Sequence, residues 1–228
     1  MKNFFIHIPK CGGMTIRRAP ELKNVILTCN EKMLKSHQYA LDLKDTMERN
    51  GDHHGIEHAR FIDINADLRK KHTFFSIVRN PWSRTVSRFM FAKKVIKIEK
   101  KSPTKYANIS SFEAFLEERH LWGNKEFMWH RAIRGWYNCF DYVVDENKNV
   151  KCDILRFENY DEDASRYFNL SQSKLKPRNV TGYMDLYQNY YNEKTIQIVA
   201  NWYKRDIEFF GYDFDKGPSK NFYFRSYE

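Results

Sequence analysis

Lys10-Cys11-Gly12-Gly13-Met14-Thr15 follows directly on the apolar run Phe4-Phe5-Ile6-His7-Ile8 and Pro9. These residue types at this spacing suit the capture of an anion. A strand that turns sharply into a helix leaves backbone N–H groups unpaired at the turn, and the helix dipole adds partial positive charge there. Gly12 and Gly13 permit positive φ and close approach of a ligand to the backbone. Lys10 adds a full charge and Thr15 a hydroxyl donor. The plainer reading is a turn that uses glycine for geometry alone. A second unit has the same layout: Phe74-Phe75-Ser76-Ile77-Val78, then Arg79-Asn80-Pro81, then a helical pattern. Arg79 falls at the carboxyl end of its run, where open α/β sheets bind ligands, and its planar fork suits bidentate phosphate contact. Arg84, Ser87 and Arg88 share roughly one helix face through their i, i+3, i+4 spacing. Alone, Arg79 reads equally well as a salt-bridge partner. Two such units at one sheet edge point to a single ligand with anionic groups at both ends.

Three of the eight histidines lie together in Asp52-His53-His54-Gly55-Ile56-Glu57-His58. His54-x-x-Glu57-His58 has the order of an inverted zinc-protease motif. Two histidines four residues apart share a metal only on a helix, and Asn50-Gly51-Asp52 and Gly55 favour a loop instead. His7, inside the first apolar run, reads as a core or edge residue.

The elements that must position these residues can be read from periodicity. β-Branched and aromatic runs predict strands over Phe4–Ile8, Val25–Thr28, Thr73–Val78, Tyr142–Val144 and Val150–Phe157. Asn80 reads as an N-cap and Pro81 as the first position of a helix continuing through Trp82 to Val95. A C-terminal helix carries Ile196, Val199, Tyr203, Ile207 and Phe210 on one face, with Asn192 before it and Gly211 after it. Strands alternating with helices predict an α/β fold: a three-layer, P-loop-NTPase-like architecture with a mainly parallel central sheet flanked by helices. Asp145-Glu146-Asn147-Lys148-Asn149 between two strand-like runs predicts a hairpin and hence an antiparallel edge. The polar stretch from Lys97 to Ser111 is the candidate substrate-facing loop. The Walker string GxxxxGK[ST] is absent, because Lys10 precedes its glycines, so a kinase or nucleotide hydrolase is disfavoured.

Composition narrows the class. The 228 residues carry a formal charge of +10 and are 42% apolar and 16% aromatic, which excludes a disordered tail and fits one domain over residues 1–228. The mean hydropathy of −0.74 and the lack of any ~18-residue apolar run exclude a membrane span. No signal peptide precedes Phe4, and Cys11, Cys29, Cys139 and Cys152 form no CxxC pair, so a cytoplasmic location with reduced thiols is expected. Nucleic acid binding rests on charge alone, without a zinc finger, an aromatic RNP motif or a GxxG clamp, and is not expected.

The strings Ile8-Pro9-Lys10-Cys11-Gly12-Gly13 and Ile77-Val78-Arg79-Asn80-Pro81-Trp82-Ser83-Arg84-Thr85-Val86-Ser87-Arg88-Phe89 resemble the two nucleotide motifs of carbohydrate sulfotransferases. The likeness is to the heparan sulfate 2-O- and chondroitin-type enzymes and their bacterial or viral relatives. It extends through Asp153 to Asp163 and Tyr203 to Tyr212, most of the chain. The resemblance implies a donor, 3′-phosphoadenosine 5′-phosphosulfate, a hydroxyl acceptor on a glycan or saccharide, and no metal. It implies that the Lys10–Thr15 loop cradles the 5′-phosphosulfate, that Lys10 stabilises the leaving phosphate, and that Arg79 with Ser87 holds the 3′-phosphate. Cys11 stands where relatives often have Thr, as a backbone donor. Arg178 and Thr181 correspond to a segment near the nucleotide. His54-Gly55 to Asp63 resembles the segment that carries the catalytic base of the 2-O-enzymes, with a two-residue insertion. Counting back from Phe61-Ile62-Asp63 selects His58 as the base, and counting forward from Gly55 selects His54. His130 is a candidate lining of the acceptor groove. Two alternatives remain open: a zinc hydrolase using His54, Glu57 and His58, and a non-catalytic basic module that binds glycans or nucleic acid.

Overall fold

The structure, a computed structural model, describes residues 2–99, 107–123, 125–170 and 184–224. Four strands, β1 (Asn3–Ile6), β2 (Ile26–Thr28), β3 (Phe74–Val78) and β4 (Asp153–Arg156), form one sheet in the order β2-β1-β3-β4. Every pairing is parallel, with Phe4 opposite Leu27 and Phe74, and Ser76 opposite Ile154. All five residues of β3 are buried, as expected of a central strand covered on both faces, and this is why its sequence is continuously apolar rather than alternating. Its one polar residue, Ser76, donates to the Ile6 carbonyl at 2.8 Å. Because β1 has β2 on one side and β3 on the other, the strand order reverses there, and the carboxyl ends of β1 and β3 flank that switch point, where open α/β sheets bind ligands.

Among the described residues the helices are α1 (Gly13–Arg17), α2 (His37–Arg49), α3 (Ala66–Lys71), α4 (Pro81–Glu99), α5 (Phe112–Glu117), α6 (Arg119–Trp122), α7 (Phe140–Val143), α8 (Tyr160–Phe168), α9 (Glu193–Trp202) and α10 (Lys204–Phe210). None among the described residues is long and apolar enough to cross a membrane. Asn80 caps α4 as its position requires: its Oδ1 accepts from the backbone of Trp82 and Ser83 at 3.0 and 3.2 Å. The side chain of Asn192 caps α9, accepting from Thr195 N at 2.9 Å, and Thr195 returns the bond to the Asn192 N–H.

Three expectations are corrected. Tyr142–Val144 is not a strand. The buried Asp206 carboxylate accepts from the N–H groups of Cys139 and Phe140 at 2.7 and 2.8 Å, satisfying the donors at the start of α7. That long-range anchor overrides the β-propensity of the run. The antiparallel edge shrinks to a single bridge between Val144 and Val150, around a turn in which Asp145 accepts from the N–H groups of Asn147 and Asn149. The C-terminal helix is two helices, broken at Tyr203, and Gly211 ends the second in a left-handed conformation. Helix α4 runs on to Glu99, and residues 100–106 of the proposed substrate-facing loop fall outside the described part.

Helix α4 carries two fully buried arginines. Arg84 donates to the carbonyls of Pro9 at 3.1 Å and Tyr137 at 2.7 Å. Arg88 donates to the carbonyls of Ala132 and Ile133 and to the Tyr203 hydroxyl, and lies 3.8 Å above the Trp136 ring. Burying a cation costs several kcal/mol unless its donors are used. Carbonyls, the Tyr203 hydroxyl and an aromatic face take up Arg88, whereas Arg84 uses Nε and Nη1 and leaves Nη2 buried without a hydrogen bond among the described residues. Replacing Arg88 by Met keeps volume and strands those acceptors, each at about 1–3 kcal/mol. Arg88→Met is expected to lower the melting temperature by at least about 5 °C for a chain of this size. An unchanged melting curve would mean the arginine only fills space.

Candidate active site

The loop after β1 is bent by two residues with positive φ, Lys10 at 67° and Gly12 at 78°. Gly13 answers a packing demand: a Cβ there would stand 2.1 Å from the His7 ring. The ring can therefore seat against the loop only if residue 13 has no side chain. Within the turn, the Cys11 N–H folds back toward the Ile8 carbonyl at 3.4 Å and Thr15 N donates to Gly12 O at 3.0 Å. Met14 is half-buried and Thr15 buried. Cys11 is buried, with its sulfur 3.9 Å from that of Cys139. Burial raises the Cys11 thiol pKa, but the Cys139 contact and the Arg84 and Arg79 charges outweigh it, and the net shift is downward.

Lys10 has no carboxylate partner among the described residues. Its Nζ lies 4.2 Å above the Phe91 ring. Burial, then the Arg79 and Lys94 charges, depress it to about 8. The backbone carbonyl of Lys10 accepts from Arg79 Nη1 at 3.0 Å. Arg79 is 3% exposed, with Nε and Nη2 on Ser83 Oγ at 3.0 and 2.7 Å and its guanidinium 4.2 Å above Phe157. Burial lowers its pKa to about 10. Glu158, next to Phe157 in the chain, accepts from Asn80 N at 2.7 Å, and burial raises its carboxyl pKa.

Lys10 and Arg79 therefore meet at the ends of β1 and β3. Ser87 is partly exposed on α4, while Arg84 and Arg88 turn inward to backbone carbonyls, so the shared face suggested by spacing divides between interior and surface. Arg178 and Thr181 lie outside the described residues.

The histidine segment joins the same place. Gly55 is left-handed and Ile56–His58 is one turn of 3₁₀ helix, too short to bring His54 and His58 onto one metal. Their side chains diverge: His54 Nε2 lies 3.5 Å from Glu48, Glu57 3.5 Å from Arg17, and His58 turns to His7. Among the described residues no group of three metal-binding side chains converges. His58 Nδ1 lies 2.7 Å from the His7 carbonyl, and the two rings are 4.3 Å apart. A carbonyl only accepts, so Nδ1 carries the hydrogen and Nε2 keeps the lone pair. Burial depresses His58 to about 4, opposed by that hydrogen bond and the Glu57 charge and assisted by His130 and Arg17.

Sequence reasoning missed His7, Phe157 and Ser83 as supports of the site. Phe157 follows β4 as Arg79 follows β3, so the rule of strand carboxyl ends could have found it. The backbone carbonyl of His7 leaves no trace in residue type.

No curated protein and no solved structure matches the chain. A family model described as the sulfotransferase family matches residues 2–213. That match takes in the Lys10 turn, the histidine segment and the Arg79 helix together, and with it the chain belongs to the sulfotransferase family.

Proposed function

We propose that the protein, acting as a single domain, transfers the sulfuryl group of 3′-phosphoadenosine 5′-phosphosulfate to a hydroxyl of a carbohydrate acceptor. The observation that carries this reading is the bond from Arg79 to the Lys10 carbonyl, which holds two cationic loops at one crevice while His58 hangs from the same strand end through His7. The residues fit such a donor. Lys10 is a cation depressed by burial and by like charge, without a described carboxylate to neutralise it, and an anion beside it relieves both effects. Arg79, held rigid by Ser83 and Phe157, would engage the 3′-phosphate with Ser87. The Lys10–Thr15 turn would take the phosphosulfate.

In this mechanism the acceptor hydroxyl oxygen attacks sulfur as the bond from sulfur to the bridging phosphate oxygen breaks. Its proton passes to His58 Nε2. Lys10 stabilises the charge growing on the departing oxygen, an effect worth more in a partly buried site than in water. His58 has the form that a base requires, because its depressed pKa keeps the ring neutral at any physiological pH.

Calorimetry with adenosine 3′,5′-bisphosphate tests the assignment. Micromolar binding is expected, and ligand at about 100 times Kd adds about 2.7 kcal/mol of stability. No heat and no melting shift at millimolar ligand would remove the donor.

Lys10→Ala is expected to lower kcat by roughly 10²–10³-fold, whereas Arg79→Lys, which keeps charge but loses the fork, chiefly raises donor KM. Identical effects of the two on KM alone would reduce the Lys10 loop to a binding element. His58→Ala is expected to lower turnover roughly 10²–10⁴-fold with bisphosphate affinity intact, and His54→Ala far less. The reverse ranking assigns the base to His54.

The pH profile of kcat/KM follows from the same groups. His58 loses its proton and becomes competent as pH rises through about 4, and Lys10 loses its charge as pH rises through about 8. A bell with limbs near those values is expected, since kcat/KM reports the free enzyme. A profile still rising above about pH 9 would contradict the role of Lys10.

A further inference from the structure

The loop that carries His58 is held from outside, by the segment around residues 127–134. The carbonyl of Gly55 accepts the His58 backbone N–H at 2.9 Å, closing the 3₁₀ turn, and also faces His130 Nδ1 at 2.9 Å. One oxygen therefore links the two histidines. The segments approach so closely that a Cβ at Gly55, where φ is +60°, would stand 2.5 Å from the His130 carbonyl oxygen. His130 is 1% exposed, and because its Nδ1 donates to a carbonyl its neutral ring keeps the Nε2 lone pair, which is buried without a partner. Three residues before Gly55, the Asp52 carboxylate, 2% exposed, lies between Arg131 Nη2 at 2.9 Å and Arg134 Nη1 at 3.1 Å. Arg131 also donates to the His53 carbonyl. The loop is thus pinned at residues 52, 53 and 55 by residues 130, 131 and 134.

We infer that His130 and the Asp52–Arg131–Arg134 ion triad are positioning groups for His58, fixing the loop so that its imidazole stays against the His7 carbonyl with Nε2 presented to the acceptor. The inference rests on His58 being the base. Its physical content is that a single turn of 3₁₀ helix does not hold a ring to within ~1 Å by itself, and a displacement of that size at a reacting group costs on the order of 10²-fold in rate. Neither His130 nor Asp52 has to touch a substrate for this to hold.

Three variants separate the elements of the argument. His130→Phe keeps the buried ring and removes the donor to Gly55. His130→Asn offers a side-chain N–H near the position of Nδ1. Asp52→Asn leaves His130 in place and breaks the ion triad. The first readout is the NMR titration and tautomer of the His58 ring, which needs no turnover. The groups facing His58 are Glu57 on its own turn, His7 on the β1 side, Arg17 on α1 and His130. In Asp52→Asn the loss of a negative charge by itself lowers a histidine pKa, so a rise from about 4 toward the ordinary value can only come from a loop that has opened to water. That rise, with loss of the single Nδ1–H tautomer, is expected in Asp52→Asn; in His130→Phe, where removing the His130 charge itself raises the pKa, loss of the single tautomer is the deciding signal. Each is also expected to reduce kcat roughly 10–100-fold with bisphosphate affinity unchanged, and His130→Asn to recover most of that loss. An unaltered His58 titration in Asp52→Asn, with an unaltered His58 tautomer in both Asp52→Asn and His130→Phe, overturns the inference. Altered His58 spectra with full sulfuryl transfer leave the clamp standing and remove His58 as the base. If His130→Phe does not fold, the Asp52→Asn spectrum alone decides.

Discussion

The hydrogen bond from the Arg79 guanidinium to the Lys10 carbonyl spans 69 positions of chain and joins the turn after β1 to the turn after β3. Without it, two positively charged loops at one sheet edge would repel. Backbone dipole does what a carboxylate does elsewhere: the carbonyl accepts a charged donor, and the Lys10 side chain turns to the Phe91 ring instead of to a described carboxylate. The geometry of Lys10, with φ of 67° in a residue that is not glycine, is part of the same arrangement. Left-handed backbone at a bulky residue is costly, and it coincides here with the carbonyl that Arg79 takes.

The same solution recurs through α4. Arg79 with Ser83, Arg84 with the Pro9 and Tyr137 carbonyls, and Arg88 with the Ala132 and Ile133 carbonyls form a column of guanidinium groups bonded to neutral acceptors. Burial lowers Arg79 and Arg88 to about 10, so both remain charged at physiological pH. A long helix that donates to so many backbone carbonyls fixes irregular segments as firmly as strands would. This explains how residues 130–139, which contain little regular structure, supply the wall behind the histidine loop.

The parallel sheet and the α4 cap were legible because both depend on local signals: continuous apolar runs bounded by Pro and Gly, and Asn80-Pro81 at a helix start. The run at Tyr142–Val144 has the residue types of a strand, yet a carboxylate sixty-odd positions later, Asp206, supplies the donors' partner and selects helix. Spacing brought Lys10 and Arg79 together, since both follow strands. It could not tell Ser87 from Arg84 and Arg88, because a shared helix face says nothing of which carbonyls lie beneath it. Nor could it find His7 as the orienting partner of His58, for the contact is made by a main-chain oxygen that any residue possesses.

Most anchors of the site lie far along the chain from what they hold. Strand β1 bonds to a strand seventy positions later, His58 hangs on a carbonyl 51 positions earlier, and Gly55 is met by a ring 75 positions later. During synthesis, Lys10, His58 and Arg79 all leave the ribosome well before the segments that hold them, 130–134 and Phe157, have been made. Loops of this length close slowly, and parallel pairing waits on them. The nascent chain therefore carries an exposed cluster of cations and aromatic rings for as long as its second half takes to translate, at ~5–20 residues per second. In that interval these side chains lack the partners that the completed fold supplies.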